Sequence, residues 1–195
     1  MKIFFGAAIQ GAQNREERAA VHRLIIDAIK SCNCEVISEH TTGKDYDATA
    51  KFLEKSLGQL PPQGMERTVL IRNKMIEFIE GDIDAALFEV STPSLGTGIE
   101  IAHAYLRPRL GLPEIPVIAL YQKDYWPNNL STMIRGITRD QVSNFMLKVY
   151  DDPGKAGEFI PELLGSIVDY LITIEKIQDA LKAAGTYVGI FETKN

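Results

Sequence analysis

The sequence predicts an α/β protein, a three-layer sandwich with a five-stranded parallel sheet and helices on both of its faces. Apolar runs of strand length alternate along the chain with segments whose apolar residues recur at helical spacing. The run at residues 84–90 is almost wholly apolar, which is typical of a central parallel strand covered on both faces. With 195 residues, of which 45% are hydrophobic and 24% charged, the chain is large enough to enclose a complete core.

The first half of the chain alternates between strand and helix patterns, with one polar interruption. In chain order the patterns predict a strand at 2–9, a helix at 14–31, a short strand at 34–40, a polar segment at 41–64, a helix at 65–81 and the central strand at 84–90. The polar segment contains Gly43, Gly58 and a Pro-Pro pair, so we expect a long loop, or a loop with a short helix, over one end of the sheet.

The second half continues the alternation and ends in one long helix. It predicts a helix at 98–106, a strand at 116–121, a turn with a short helix at 128–137, a strand at 145–151 and an amphipathic helix from 153 to about 184. We therefore expect a catalytic α/β domain at residues 1–152 and a helical extension at 153–195 that packs on it.

Composition excludes several kinds of partner. The net charge is −5 and no basic cluster occurs, which argues against nucleic-acid binding. No run approaches the roughly 18 apolar residues of a membrane span. Cys32 and Cys34 lack further ligands at metal-binding spacing, so we expect no metal and reduced thiols in a cytoplasmic protein.

The stretch STPSLGTGIE, which follows the central strand, is the strongest candidate for a ligand site. Ligands of open α/β sheets bind beyond the carboxyl ends of the strands. Gly96 and Gly98 would let the backbone approach a ligand, the helix start would offer free N–H groups, and Ser94 and Thr97 add hydroxyls. Spacing alone leaves a phosphate cradle and an ordinary, tightly packed helix start equally open.

Glu100 follows these glycines and has two explanations. An acidic residue is favoured near a helix start by the helix dipole. Next to a phosphate cradle, the same carboxylate could attack or stabilise the anomeric carbon of a sugar whose 5′ end the loop holds.

The three histidines and a downstream arginine carry weaker signals. His40 ends the second predicted strand on the ligand side, whereas His22 lies in a helix and His103 could pair with Glu100 or face solvent. Arg135, after the fourth strand, could be an anion fork or a surface charge.

Four blocks of sequence together resemble one family. FEVSTPSLGTGIEIAHA resembles the V-[ST]-x-P-S-L-G-x-G-x-E-x-x-x-A signature of the 2′-deoxynucleoside 5′-phosphate N-hydrolases, relatives of the nucleoside 2-deoxyribosyltransferases. ISEH is similar to the family's T-E-H, LSTMIRG to its L-S-x-M-I-R-G, and FFGAAIQG to its first strand and glycine-rich turn. The blocks keep the family's order and span residues 4–136.

The resemblance implies a flavodoxin-like or Rossmann-like fold and cleavage of an N-glycosidic bond without metal or cofactor. It implies that Glu100 is the catalytic carboxylate and that the nucleotide or nucleoside lies in a shared site of a homodimer or higher oligomer. The 5′-phosphate would be held by Ser94, Gly96 and Gly98, together with Ser131 of a neighbouring subunit. The pocket would also include Phe4, Gly6, Ile9, Gly11 and His40.

Three positions depart from the family pattern. Phe4 stands where the family has a tyrosine near the sugar, which makes a ribonucleotide such as CMP a plausible substrate beside deoxyribonucleotides. Ala8 replaces a phosphate-binding serine. Met75 stands at or near the position of an aspartate that orients the site and handles the leaving base. Candidates for its replacement are Asn73, Glu77, Asp45 and Asp47.

The sequence therefore predicts hydrolysis of a nucleoside 5′-monophosphate, for example dCMP, dGMP or CMP, to free base and sugar 5-phosphate. Two alternatives stay open: a deoxyribosyltransferase that exchanges bases on free nucleosides, and a nucleotide-binding sensor with impaired catalysis.

Overall fold

The computed structural model describes residues 1–9, 14–125 and 129–183. Its centre is one sheet of five parallel strands: β1 (Lys2–Ala7), β2 (Glu35–Val36), β3 (Ala85–Glu89), β4 (Val117–Gln122) and β5 (Phe145–Tyr150). The strand order is β2-β1-β3-β4-β5. This is the flavodoxin-like order, in which the switch point lies between β1 and β3. The predicted fold class is confirmed.

Six α-helices accompany the sheet in the part of the chain that is described. They are α1 (Arg15–Ser31), α2 (Tyr46–Leu57), α3 (Met65–Glu80), α4 (Leu95–Tyr105), α5 (Thr132–Arg135) and α6 (Ala156–Ala183). Short 3-10 helices occupy His40–Thr42, Arg107–Leu110 and Pro153–Lys155. None of the helices described is long and apolar enough to cross a membrane.

The sheet separates two hydrophobic cores, because neighbouring residues of a strand point to opposite faces. On one face, Ile3 and Phe5 of β1 pack with α1 and α6. On the other face, Phe4 of β1 packs with residues of α3 and α4. A third, smaller cluster consists of Leu53, Leu60 and Met75 with their apolar neighbours on α2 and α3, and it meets the second core at Phe78.

Two predicted boundaries differ from the structure around the polar segment. The second strand is only two residues long, and His40–Thr42 form a 3-10 helix instead of continuing it. The segment at 41–64 contains a helix of 12 residues, α2, which Asp45 caps and Gly58 ends with a φ of +80°. The polar composition hid this helix because its inner face contacts only a small core.

Helix α4 begins three residues earlier than predicted, at Leu95 instead of residue 98. Glycine is a poor helix former, so Gly96 and Gly98 suggested a loop. The side chain of Ser94 caps the helix and outweighs that preference, since it accepts a hydrogen bond from the Thr97 amide.

Candidate functional site

A cavity of about 650 Å³ opens beyond the carboxyl ends of β1 and β3. That volume suits a small-molecule ligand. Its inner wall includes six residues that the sequence singled out: Ile9, His40, Ser94, Gly96, Thr97 and Glu100. The structure thus brings together residues from three separate segments of the chain at the switch point of the sheet.

The start of α4 forms one side of this cavity. The Thr97 amide donates to Ser94 Oγ at 3.3 Å, which leaves the hydroxyl hydrogen of Ser94 free to donate outward. A Cβ added at Gly98 would meet no described atom within 4 Å, and one added at Gly96 would meet only Ser94 Oγ at 3.7 Å. Packing therefore does not require these glycines, and the tight-packing explanation of the motif loses its support.

Glu100 lies one turn further along α4 and points its carboxylate over β1. Burial raises the pKa of Glu100 to about 7. A Cβ added at Gly6 would lie 3.0 Å from Glu100 Oε2 and 2.6 Å from Phe88 Cδ1. Gly6 therefore makes room for the carboxylate, although it is not itself part of the cavity wall.

His40 is a buried, uncharged contributor to the wall. Its Nδ1 lies 2.6 Å from Ser38 Oγ. Burial, assisted by the charge of His22, lowers the pKa of His40 to about 4. The imidazole is therefore neutral near pH 7 and can exchange hydrogen bonds with a ligand without adding charge.

The remaining predicted site residues lie elsewhere. Phe4 is fully buried beneath the cavity and packs on Phe88, with ring centroids 5.7 Å apart. Gly98 and Ser131 are not in the wall; Ser131 is exposed and caps α5. Gly11 lies outside the described residues. His103 pairs with Glu80 at 2.9 Å and not with Glu100.

The outer wall comes from α2 and α3. The sequence placed the 41–64 segment over one end of the sheet and offered Asp47 as a candidate, but it did not identify the other residues of this wall. The wall includes Tyr46, Asp47, Thr49, Arg67 and Thr68. The sequence signal that could have revealed it is the capping aspartate Asp45 ahead of an amphipathic stretch.

Arg15 of α1 holds α2 against the cavity. Its Nη2 donates to Thr49 Oγ1 at 2.6 Å and to the Asp45 carbonyl oxygen at 3.1 Å. Its guanidinium carbon also lies 4.4 Å from the centroid of the Tyr46 ring. One arginine thus ties the outer wall to the first helix.

Met75 belongs to the small apolar cluster under α2 and does not line the cavity. Of the four carboxylates and amides considered as replacements for the family's aspartate, Asn73 and Glu77 face a different surface groove. Asp45 caps α2 by accepting from the Ala48 amide at 2.8 Å. Asp47 lines the cavity that contains Glu100.

Metal ligands do not cluster in the described part of the chain, where no group of three or more His, Cys, Asp or Glu side chains could hold an ion. Cys32 and Cys34 are free thiols, and burial raises the pKa of Cys34.

Comparison with known proteins gives a consistent result. No protein-family model matches the chain. A protein of Thermofilum pendens is 32% identical over 169 residues, which cover 87% of this chain and 99% of the relative. One from Nematostella vectensis is 31% identical over 84% of this chain and 90% of its own length. A third, from Methanosarcina mazei, is 27% identical over 69% of this chain and 67% of its own.

All three relatives carry the same provisional name, 2′-deoxynucleoside 5′-phosphate N-hydrolase 1. The alignment with the Thermofilum pendens protein covers nearly the whole length of that relative. The cavity at the switch point, with the capped start of α4 and Glu100 in its wall, agrees with the sequence motif that carries the resemblance. The chain belongs to the 2′-deoxynucleoside 5′-phosphate N-hydrolase family and is an N-glycosidase-type enzyme.

Proposed function

We propose that this protein hydrolyses the N-glycosidic bond of a nucleoside 5′-monophosphate, releasing the free base and a sugar 5-phosphate. The observation that carries the proposal is one cavity whose wall contains both the start of α4 and the carboxylate of Glu100. The names of the relatives support the same substrate class and favour a 2′-deoxyribonucleotide, such as dCMP or dGMP, over CMP.

The phosphate would bind at the start of α4. The first N–H groups of a helix have no partners within the helix and attract anions. Ser94 adds a hydroxyl donor, and the space beside Gly96 lets phosphate oxygens reach the backbone. Arg15 and Arg67 give the same cavity two cationic side chains, which suits a dianionic group.

Glu100 would act as the nucleophile. Its carboxylate oxygen forms a bond to C1′ of the sugar while the C1′–N bond breaks, and the electron pair of that bond leaves with the base. Water then attacks C1′, displaces the Glu100 carboxylate and loses a proton, which yields the sugar 5-phosphate.

The departing base takes up a proton, and Asp47 is our candidate for its donor or for the group that orients the base. Asp47 and Glu100 are the carboxylates among the described residues that line the cavity. Asp47 lies on α2, whereas the aspartate that the family resemblance implies would lie at or near the position of Met75 on α3.

A second copy of the chain would complete the site. Leu95 and Met133 have 91% and 81% of their surface exposed. Leu95 directly follows the capping residue Ser94, and Met133 lies two residues after the capping residue Ser131. Such exposed apolar side chains beside polar groups are typical of interfaces between subunits. We infer that Ser131 reaches the cavity of the partner subunit in a homodimer.

The test is chromatography of free base after incubation with a panel of ribo- and deoxyribonucleoside monophosphates and the corresponding nucleosides. We expect release from monophosphates that Glu100→Ala abolishes. Asp47→Asn should lower kcat by about a hundredfold, the scale of acid–base assistance, whereas Asp45→Asn keeps a capping side chain and serves as its matched control.

Each other result contradicts the proposal in a distinct way. Base release that persists in Glu100→Ala would exclude Glu100 as the nucleophile. Exchange of bases when a second base is added would identify a transferase, and nucleotide binding without any release would identify a sensor.

A further inference from the structure

A buried cluster of charged side chains lies on the face of the sheet that is opposite to Glu100. Glu89, the last residue of β3, is 0% exposed, and Arg18 of α1 is 1% exposed. Arg18 Nη2 lies 2.7 Å from Glu89 Oε2, and His22 Nε2 lies 3.6 Å from the same oxygen. The hydroxyl of Tyr150 donates to Glu89 Oε1 at 3.0 Å.

The cluster is separate from the catalytic carboxylate. Phe88 and Glu89 are neighbours on β3, so their side chains point to opposite faces of the sheet. Phe88 packs in the core below α3 and α4, on the side of Glu100. Glu89 contacts residues of α1 and β5, on the side of α6.

Burying such a cluster in a core has a high free-energy cost. Removing two charges from water costs several kcal/mol for each ion, and apolar side chains of similar volume are often at least as stabilising. Burial would by itself raise the pKa of Glu89, but the contact with His22 and the charge of Arg18 outweigh it and lower the pKa to about 2. Glu89 is therefore a permanent buried anion, and its contacts indicate what it does.

The first set of contacts leads to the start of α4. The Ser91 hydroxyl donates to Glu89 Oε1, and the Ser91 amide donates to the same atom at 3.3 Å. Ser91 Oγ in turn accepts from the Gln122 amide at 2.7 Å. Ser91 is three residues ahead of Ser94, which caps α4 and lines the cavity.

The second set of contacts leads to the segment with His40. His22 Nδ1 lies 3.0 Å from the carbonyl oxygen of Thr41, which can only accept, so Nδ1 carries a hydrogen. His22 Nε2 then faces Glu89 from the other side of the ring. Thr41 follows His40, the other cavity residue from this side of the sheet.

We propose that Glu89 is a positioning residue that fixes two walls of the cavity at once, the Ser91–Ser94 segment through Ser91 and the His40–Thr42 helix through His22. The role in turnover rests on the proposed function, because these walls position the phosphate site and His40 relative to Glu100. The effect on the walls themselves does not depend on any substrate.

The test compares Glu89→Gln with wild type by hydrogen–deuterium exchange of the free protein and by steady-state base release. The glutamine keeps the shape of the side chain but removes its charge, which weakens the contacts with Arg18 and His22 and the charge-assisted hydrogen bonds from Ser91. We expect faster exchange at residues 41–43 and 92–97, and a kcat/KM lower by about ten- to a hundredfold, as for small misplacements of catalytic groups. The loss should fall mainly on kcat, because Glu89 touches no substrate.

Tyr150→Phe is the matched control. It removes one hydrogen bond from the same carboxylate without changing either connection to the cavity walls. We expect a lower Tm with unchanged exchange at the two segments and unchanged kcat. If Tyr150→Phe alters the exchange of the two segments and kcat as much as Glu89→Gln does, general destabilisation explains the effect and the proposal is wrong.

Two single-link variants keep the proposal testable if Glu89→Gln folds poorly. Ser91→Ala should speed exchange only at 92–97, and His22→Phe only at 41–43. Exchange that changes at both segments in each variant, or at neither, would overturn the proposal. If wild type releases no base from any nucleotide, the proposed function fails, while the exchange experiment still decides whether Glu89 fixes the two walls.

Discussion

Glu100 is a half-buried residue whose carboxylate is largely shielded from water, and its protonation should affect stability. Its folded-state pKa of about 7 lies above the ordinary glutamate value of 4.5, so between these values the folded protein binds a proton that the unfolded chain does not. Wild type therefore loses stability as pH rises from about 4.5 to 7. The loss is at most about 3 kcal/mol.

Glu100→Gln should lack this loss. We expect nearly equal Tm values for the variant and wild type at pH 4.5. Between pH 4.5 and 7 the Tm of wild type should fall increasingly below that of the variant, and above pH 7 the difference should stay constant. Thermal unfolding at a series of pH values measures it. Glu162→Gln, at an exposed position on α6, is the control and should follow wild type throughout. A gap that does not change with pH would contradict the elevated pKa.

The same pKa should appear in the rate profile if the ionised carboxylate is the nucleophile. We expect kcat/KM to rise with pH and level off above an apparent pKa of about 7, because kcat/KM reports ionisations of the free enzyme. A midpoint near 6 would instead report the second ionisation of the substrate phosphate. A flat profile between pH 5.5 and 8 would exclude Glu100 as a nucleophile that must lose its proton.

At the scale of elements, the start of α4 allows a comparison of two substitutions. Ser94→Ala removes the cap and should lower the free energy of unfolding by about 1 kcal/mol. Gly96→Ala adds a methyl group whose nearest neighbour is Ser94 Oγ at 3.7 Å, and it should leave stability unchanged or slightly higher. Both should weaken binding of a nucleoside monophosphate by calorimetry, since both alter the proposed phosphate site. Tight binding by Gly96→Ala would show that the ligand stays away from that backbone.

The elements also show what sequence reasoning could and could not provide. β1, β3, β4 and β5 were predictable because buried parallel strands are continuous apolar runs. α2 was not, because its stability depends on contacts with residues far along the chain, including the guanidinium of Arg15 and the apolar side chain of Met75. Glu100 and Ser94 were predictable from a compact motif, and Asp47 was one of four candidates, whereas Thr49 and Arg67 reach the cavity only through the packing of α2 and α3.

For the whole molecule, the arrangement of exposed apolar residues predicts association. α3 and α4 pack together, and each exposes an apolar pair at i, i+4 spacing: Met65 with Val69, and Leu95 with Ile99. We expect a dimer in light scattering, and Leu95→Asp should convert it to a monomer by introducing a charge into the interface. Ile177→Asp, at an exposed position on α6, is the control.

Mixing variants would then test the shared site. Base release should be lost in Ser131→Ala and in Glu100→Ala dimers separately. An equal mixture of the two should recover up to about a quarter of wild-type activity, because half of the dimers are mixed and one of their two sites is intact. No recovery on mixing would place Ser131 outside the partner's site.

The small cluster of Leu53, Leu60 and Met75 has a consequence for how this protein could acquire new substrates. Since α2 packs on this cluster and contributes no residue to either core of the sheet, we expect changes on its cavity side to leave the packing of the sheet intact. Glu100 and the start of α4 lie on the opposite wall, anchored to the sheet. Laboratory evolution directed at Tyr46 and Ala50 should therefore change base preference while the bond-breaking half of the enzyme stays intact.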